Sequence, residues 1–494
     1  MPAVRFWLIF VSLAAILVAA ALLRLVDLAA NPGGLYLDEA AEALDAHRLL
    51  TVPGFHPLFF TDGGGREALF GYLVAAAFRA FGETTLVLRA TAAAIGVGGV
   101  LAIWWLARRF GALAGLAGAA WAAGSLWLIC ISRDGMRNTL VPLFAAICLA
   151  LLLAWADRPR RVSALAAGAV TALATLYTYQ PLKLLPLLVL IWLFWLRYAD
   201  PDAYRRLRST FSAFVVSFAL FAAPMLVVAI LDPAGYFGRM LDVVSSGAIE
   251  PVDLADHWLR TLGMFVVTGD PNPRHDVAGL PLLGWPLFIL AALGVARLWQ
   301  RRRRPADALI LACLPIFLLP PLLATEGGAP HFLRALGLAA PLAVAIGVGV
   351  QEAMAESRSR WGRGPERLTA AVAAMGLTAL AIASGHAYLS RPVADRYQAY
   401  GYDVVAMATA ADHRSAVILD DYSAGVVRFL DLVDPPAIIA PGEHIQTPGQ
   451  FDQILALARS EIERAVGPGL AASARAIALD PAGRPRLWAV RSSP

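Results

Sequence analysis

Uncharged stretches long enough to cross the roughly 30 Å hydrocarbon core of a bilayer recur along this chain. They cover residues 6–23, 90–107, 110–132, 138–156, 162–182, 209–231, 277–296, 308–325, 335–350 and 368–389. A shorter one, 184–196, can borrow 179–182 across Lys183, the single lysine of the chain. Backbone in lipid finds no water to bond, so each run must close its own hydrogen bonds as a helix. The pattern predicts an all-α polytopic membrane protein with about eleven transmembrane helices. Residues 6–23 exceed the roughly 7–15 residues of a signal-peptide core and read as an anchor that is kept.

Composition agrees. Of 494 residues, 59% are hydrophobic and 16% charged, against about 25% charged in a soluble domain. The net charge of +5 does not point to nucleic acid, because the arginines sit in short clusters between apolar runs. Cys130, Cys148 and Cys313 all fall inside those runs, so no disulfide framework follows.

The arginines also give an orientation. Arg5, Arg108–Arg109, 158–161, 197–208, 301–304 and 358–367 fall at every second boundary. Such clusters stay cytoplasmic. The other face then carries 35–82, 133–137, the turn at Lys183, 232–276, 326–334 and everything after 389, with the N-terminus inside. Chemistry on that face has no cytosolic nucleotide donor and must use one carried in or across the membrane.

Polar residues on the outer face are dense. "NPGGLYLDEAAEAL" (31–44) places Asp38, Glu39 and Glu42 together. A helix is expected over 38–50, with Asp38 at or near its N-cap, where the helix dipole favours an acid. "GGGREALFGYL" (63–73) puts three glycines ahead of a helix expected to begin at Arg66 or Glu67, an arrangement that can present backbone N–H groups to an anion. The apolar stretch 69–81, interrupted by Arg79, reads as an interfacial helix of the first outer loop. "SRDGMRN" (132–138) adds Asp134 and Arg137, and "YTYQPLK" (177–183) adds Tyr179 and Lys183. "GDPNPRHD" (269–276) adds Arg274, His275 and Asp276, and 325–337 adds Glu326, His331 and Arg334. Any one of these could be an ordinary interfacial anchor. Charges at the depth of Arg334 commonly face a cavity and serve function. His275, His331, Asp38 and Glu39 are the residues able to ligate a metal, but their spacing matches no metal motif and none is assigned. No P-loop, dinucleotide fingerprint or serine elbow is present.

After residue 389 the composition changes. A helix, a strand at 416–419, a strand in "PPAIIAPG", an amphipathic helix over 450–466 and a strand over 486–490 predict a small α/β domain. The chain thus divides into a membrane domain, 1–390, and an extracytoplasmic α/β domain, 391–494. Asp420–Asp421 reads as a solvated turn.

The order of these outer motifs, "YLDEA", "GGGREALFGYL", "SRDGMRNTLVP", "YTYQPLK", "GDPNPRHD" and "HFLRALGLAAP", resembles the GT-C superfamily of integral-membrane glycosyltransferases. The likeness covers about residues 6–389. It is nearest to the bacterial family 39 type, with the protein O-mannosyltransferases and aminoarabinose transferases as relatives. The resemblance implies a GT-C-like fold, a polyprenyl-phosphate-linked sugar donor, a lipid, glycan or protein acceptor, and inverting transfer at the outer surface of a bacterial inner membrane. The family's essential acid carries over to Asp38 and its partner to Glu39. Asp134 matches a second outer acid. Donor phosphate and sugar binding falls on Arg66, Glu67, Arg137, Tyr179, Lys183, Arg274, His275, His331 and Arg334. Members differ in metal use, so a divalent metal is the one cofactor the resemblance leaves open. A transporter or flippase of lipid-linked sugars would need similar groups, but with inverted repeats and charges near mid-bilayer. A polysaccharide polymerase or ligase would place its main outer loop late in the chain.

Overall fold

The computed structural model describes residues 2–61, 65–238 and 251–491, with the side chains of 2–6, 251 and 252 left aside. Gly63 and Gly64, and with them most of the expected glycine cradle, lie outside the described residues, as does the Arg5 side chain of the first arginine cluster. Among the described residues eight helical segments are long and apolar enough to cross a membrane. They are Trp7–Leu25, Thr85–Phe110, Arg137–Asp157, Gln180–Ala199, Phe211–Leu231, Pro305–Leu323, Leu336–Trp361 and Arg363–Leu389.

The run 110–132 is not one straight span. It forms two helices, Ala112–Gly124 and Leu126–Arg133, bent by 57° at their junction. A Gly-Ser pair at the junction is a usual place for such a break. The break frees carbonyls in the last turn of the first helix, and Arg24 takes them: Nη2 donates to Ala122 O at 3.1 Å and Nη1 to Ala123 O at 3.0 Å. The second half returns the favour. Arg133 donates to Leu23 O at 3.0 Å and to Val26 O at 2.9 Å, where the first helix ends. Two buried arginines therefore act as C-terminal caps for each other's neighbouring helices.

The remaining two of the eleven expected spans, Arg161–Tyr177 and Gly284–Gln300, have 17 residues each. At 1.5 Å per residue they reach only about 26 Å, short of the roughly 30 Å core. The second starts later than expected because Ala278, Gly279 and Gly284 adopt positive φ and hold 277–283 in a loop. Both pack closely on full-length spans. A Cβ added to Gly168 would lie 2.3 Å from Phe214 O. Gly294 and Gly349 mark a reciprocal approach between Gly284–Gln300 and Ala339–Trp361, with a Cβ on either falling 1.8 Å from a carbonyl of the other helix. Ala112–Gly124 meets the same central helix through Gly118 and Gly347. Small residues let helix backbones approach in lipid, where apolar burial gives no drive to associate. Accordingly Leu336–Trp361 is largely buried inside the protein, whereas Trp7–Leu25 is largely exposed on its outside.

In the segment after the first long helix, a helix spans Leu37–Thr51. Its N-cap is Tyr36, so Asp38 lies inside the first turn rather than at the cap. Glu39 Oε2 accepts the Tyr36 N–H at 3.1 Å. The next helix is Leu69–Phe81, three residues later than Arg66. Instead Phe59–Phe60 (β1) and Arg66–Glu67 (β2) pair antiparallel, Phe59 with Glu67 and Phe60 with Arg66.

The C-terminal region carries a five-stranded sheet in the order β4-β3-β5-β7-β6. Its strands are Ser415–Ile418 (β3), Ala437–Ile439 (β4), Gln453–Ala456 (β5), Arg475–Leu479 (β6) and Pro485–Arg491 (β7). β3 pairs parallel with β4 and β5, while β7 pairs antiparallel with β5 and β6. The helix expected over 450–466 is instead β5 followed by the helix Arg459–Ala471, because Ile454, Leu455 and Ala456 are buried in the sheet centre. The expected turn at Asp420–Asp421 starts the helix Asp421–Leu430, with Asp420 accepting the Ser423 N–H.

The chain forms two compact units. One comprises Met1–Val26, His56–Phe70 and Ala90–Leu389; the other comprises Asp27–Phe55, Gly71–Arg89 and Ser390–Pro494.

Candidate active site

In the first unit two of the expected cations meet at one of the expected carboxylates. Glu67, on β2 and 3% exposed, lies 3.3 Å from Arg137 Nε and 3.4 Å from Lys183 Nζ. Arg137 comes from the short 3-10 turn Arg137–Thr139, Lys183 from the 3-10 turn Gln180–Leu184. The Arg137 guanidinium stands 5.3 Å from the Tyr179 ring centre, and Lys183 Nζ 5.1 Å from that of Tyr236. Burial, and then the charge of Glu67, push the Tyr236 phenol up to about 12. Two cations meet one buried acid, donors of the kind that recognise a phosphate. Arg66 is buried on the same strand.

A second group in this unit is built by two loops. Asp270 accepts the Asn272 N–H through Oδ1 at 2.8 Å, and through Oδ2 it accepts the Phe332 N–H at 2.6 Å. His275 Nδ1 lies 2.9 Å from the same Oδ2, and the His275 and His331 rings are 5.1 Å apart. Burial alone would raise the Asp270 carboxyl, but the hydrogen bond and charge of His275, with His331, bring it below its ordinary range. Burial lowers His275 despite Asp270. It takes His331 down to about 3, helped by His275 and Arg334. Both rings are therefore neutral near pH 7. Arg334 donates to Ala324 O at 2.8 Å and lies 3.7 Å from Glu326. The Arg274 N–H bonds Asn272 Oδ1 at 3.0 Å.

In the second unit the Asp38 carboxylate is part-exposed on the first turn of Leu37–Thr51. Its Oδ1 accepts a hydrogen bond from the Tyr422 hydroxyl. Glu39 is fully buried and held two-pronged by Arg89, Nε to Oε1 and Nη2 to Oε2 both at 2.8 Å. Arg89 also donates to the carbonyls of Gly33 and Gly34. Glu39 thereby ties the helix to the turn before it.

No family model matches the sequence, and no curated protein does. Solved structures do match the fold. ArnT from Cupriavidus metallidurans, bound to undecaprenyl phosphate, aligns over 97% of this chain and 97% of its own, with a TM-score of 0.60 at 16% identity. The archaeal oligosaccharyltransferase AglB from Archaeoglobus fulgidus, in complex with an inhibitory peptide and a dolichol-phosphate, aligns over 99% of this chain and 74% of its own, with a TM-score of 0.59 at 13% identity. The chain has the GT-C fold.

Within that GT-C fold, Glu67, Arg137, Tyr179 and Lys183 form one cluster, and His275 and His331 another. Asp134 is buried at the end of the bent helix pair. Asp38 and Glu39 sit on neighbouring positions with different surroundings, one open and one locked. The sequence reading missed Asp270, Tyr236, Arg89 and Tyr422. Only Asp270 had a legible signal. "DPNPR" holds two successive Asx turns, Asp270 to the Asn272 N–H and Asn272 to the Arg274 N–H.

Proposed function

We propose that this chain is a multi-pass membrane glycosyltransferase. It moves a sugar from a polyprenyl-phosphate carrier to an acceptor hydroxyl, with inversion, on the extracytoplasmic side of a bacterial inner membrane. In this reading the N-terminus is cytoplasmic and the C-terminal α/β domain extracytoplasmic. The observation that carries it is the likeness of fold, over 97% of the chain, to a solved protein holding undecaprenyl phosphate. The cationic cluster at Glu67 adds chemical support.

The bond broken joins the anomeric carbon to a phosphate oxygen, and the leaving phosphate gains negative charge. Preplaced Arg137 and Lys183 stabilise that charge more in the transition state than in the bound donor. The acceptor hydroxyl attacks the opposite face and loses its proton as the new bond forms. Asp38, part-exposed, orients that hydroxyl and takes the proton, a contribution of about 10²–10⁴-fold. Glu39 keeps Asp38 in place by anchoring its helix to Arg89. Arg66, Tyr179, Arg274, His275, His331 and Arg334 bind donor sugar or phosphate, and Asp134 is a second acid.

The test supplies purified protein with a panel of polyprenyl-phosphate sugars and compares it with Asp38→Asn. Transfer is expected to vanish while the variant inserts and stays monodisperse. Full turnover by the variant would remove Asp38 from the mechanism, and no turnover of any lipid-linked sugar by the unmodified protein would remove the proposal.

A further inference from the structure

Asp270, His275 and His331 come from two loops, yet one donor atom from each lies within 4.8 Å of the other two. Among the described residues no other three His, Cys, Asp or Glu are so arranged. We propose that these three residues bind one divalent transition-metal ion, zinc by the character of the donors. Two imidazole nitrogens and one carboxylate oxygen suit zinc better than magnesium or calcium, which prefer all-oxygen shells. Three protein ligands leave a fourth position open, the pattern of a working rather than a purely structural site.

The site is built in advance. Backbone N–H groups of Asn272 and Phe332 fix the Asp270 carboxylate from both sides. They use one lone-pair direction on each oxygen, and the direction on Oδ2 toward His275 is the one a shared ion would take. His275 Nδ1 stands 2.9 Å from Asp270 Oδ2, close to the separation of two ligand atoms on one ion, so a metal there takes the place of the proton the two atoms share. His331 Nδ1 is buried and has no hydrogen-bond partner, which is unusual for a ring nitrogen and is relieved by a metal bond. Arg274 and Arg334 oppose a cation nearby. Glu326 at 3.7 Å and the Ala324 carbonyl offset Arg334. The inference concerns the resting protein, and in it His275 and His331 hold the ion rather than touching the donor directly.

The full chain, purified in detergent without chelator, is analysed for metal content. It is then stripped and titrated separately with Zn²⁺, Mn²⁺ and Mg²⁺ by calorimetry. One equivalent of zinc is expected, bound more tightly than manganese and far more tightly than magnesium. His331→Ala and His275→Ala should each weaken zinc by at least about 100-fold, because even partners outside the ligand set cost 10–100-fold. Co²⁺ added to the unmodified stripped chain should give the intense visible bands of a four-coordinate, imidazole-ligated ion. That readout keeps the proposal open to refutation where a variant fails to fold. Absence of stoichiometric zinc, absence of the cobalt bands, or a well-folded His331→Ala variant that binds zinc as tightly as the unmodified chain would overturn it.

Discussion

Tyr422 donates its phenolic hydrogen to Asp38 Oδ1, joining residues 384 positions apart in sequence. The contact follows from packing of the helix Leu37–Thr51 on the helix Asp421–Leu430 within the second unit. A phenol on the carboxylate offers the same donor that an acceptor hydroxyl would. Tyr422→Phe therefore removes a competitor. Steady-state kinetics should show the acceptor KM falling about 2- to 10-fold, the worth of one net hydrogen bond, with kcat changed less. An unchanged acceptor KM would mean that the phenol does not guard the acid.

Arg137 and Lys183 share Glu67, and the proposed role for both is to meet phosphate charge. Arg137→Met and Lys183→Met should each lower kcat/KM for the lipid donor about 10- to 100-fold, as expected for one charge-assisted hydrogen bond. The acceptor KM should stay near its starting value. An equal loss toward both substrates, in a protein of unaltered melting temperature, would argue against a donor-phosphate role.

The Arg89–Glu39 pair is buried, with both side chains at or below 1% exposure. Removing one member leaves the other without its opposite charge in a buried site, at a cost of about 3–5 kcal/mol. Arg89→Met should lower the melting temperature measured in detergent by several degrees. The double change Arg89→Met with Glu39→Leu should recover much of the loss, because it removes the stranded charge as well. A double variant no better than the single would show that the carbonyl bonds to Gly33 and Gly34, not the ion pair, carry the stability.

Close helix packing makes a sharper prediction about two glycines. At Gly349 an added Cβ would stand 1.8 Å from the Leu290 carbonyl oxygen, whereas at Gly376 nothing lies within 4 Å. Gly349→Ala should cost at least about 1–3 kcal/mol as overpacking, seen as loss of monodisperse protein in size-exclusion chromatography. Gly376→Ala, in an open helix interior, should be neutral or gain up to about 1 kcal/mol. Equal behaviour of the two would contradict the interhelical approach.

Much of the architecture was legible because lipid leaves the backbone few choices. Every uncharged run contains a helix, though 277–283 stayed a loop, and the helix at Asp38 appeared where its alanine-rich spacing put it. Errors gathered where a local pattern competes with a distant partner. Run 110–132 reads as one span until Arg24 arrives to hold the carbonyls released at Ser125. Arg66 and Glu67 read as a helix start until Phe59 and Phe60 pair with them. Residues 453–456 have an amphipathic helical pattern, but β3 and β7 on either side make them a central strand.

From sequence alone came the residue types and their order: acids after the first span, arginines at alternate boundaries, histidines in late loops. Those are local properties, set by spacing, charge and the hydrophobicity of each run. Tertiary structure decided which of them touch. It gave Glu67 to Arg137 and Lys183, Glu39 to Arg89, and Asp38 to Tyr422, and it brought His331 to Asp270 across 61 positions of chain. Such pairings depend on how helices cross and loops close, and those depend on side-chain volume and hydrogen-bond geometry summed over the whole packed interior, which no single stretch of sequence contains.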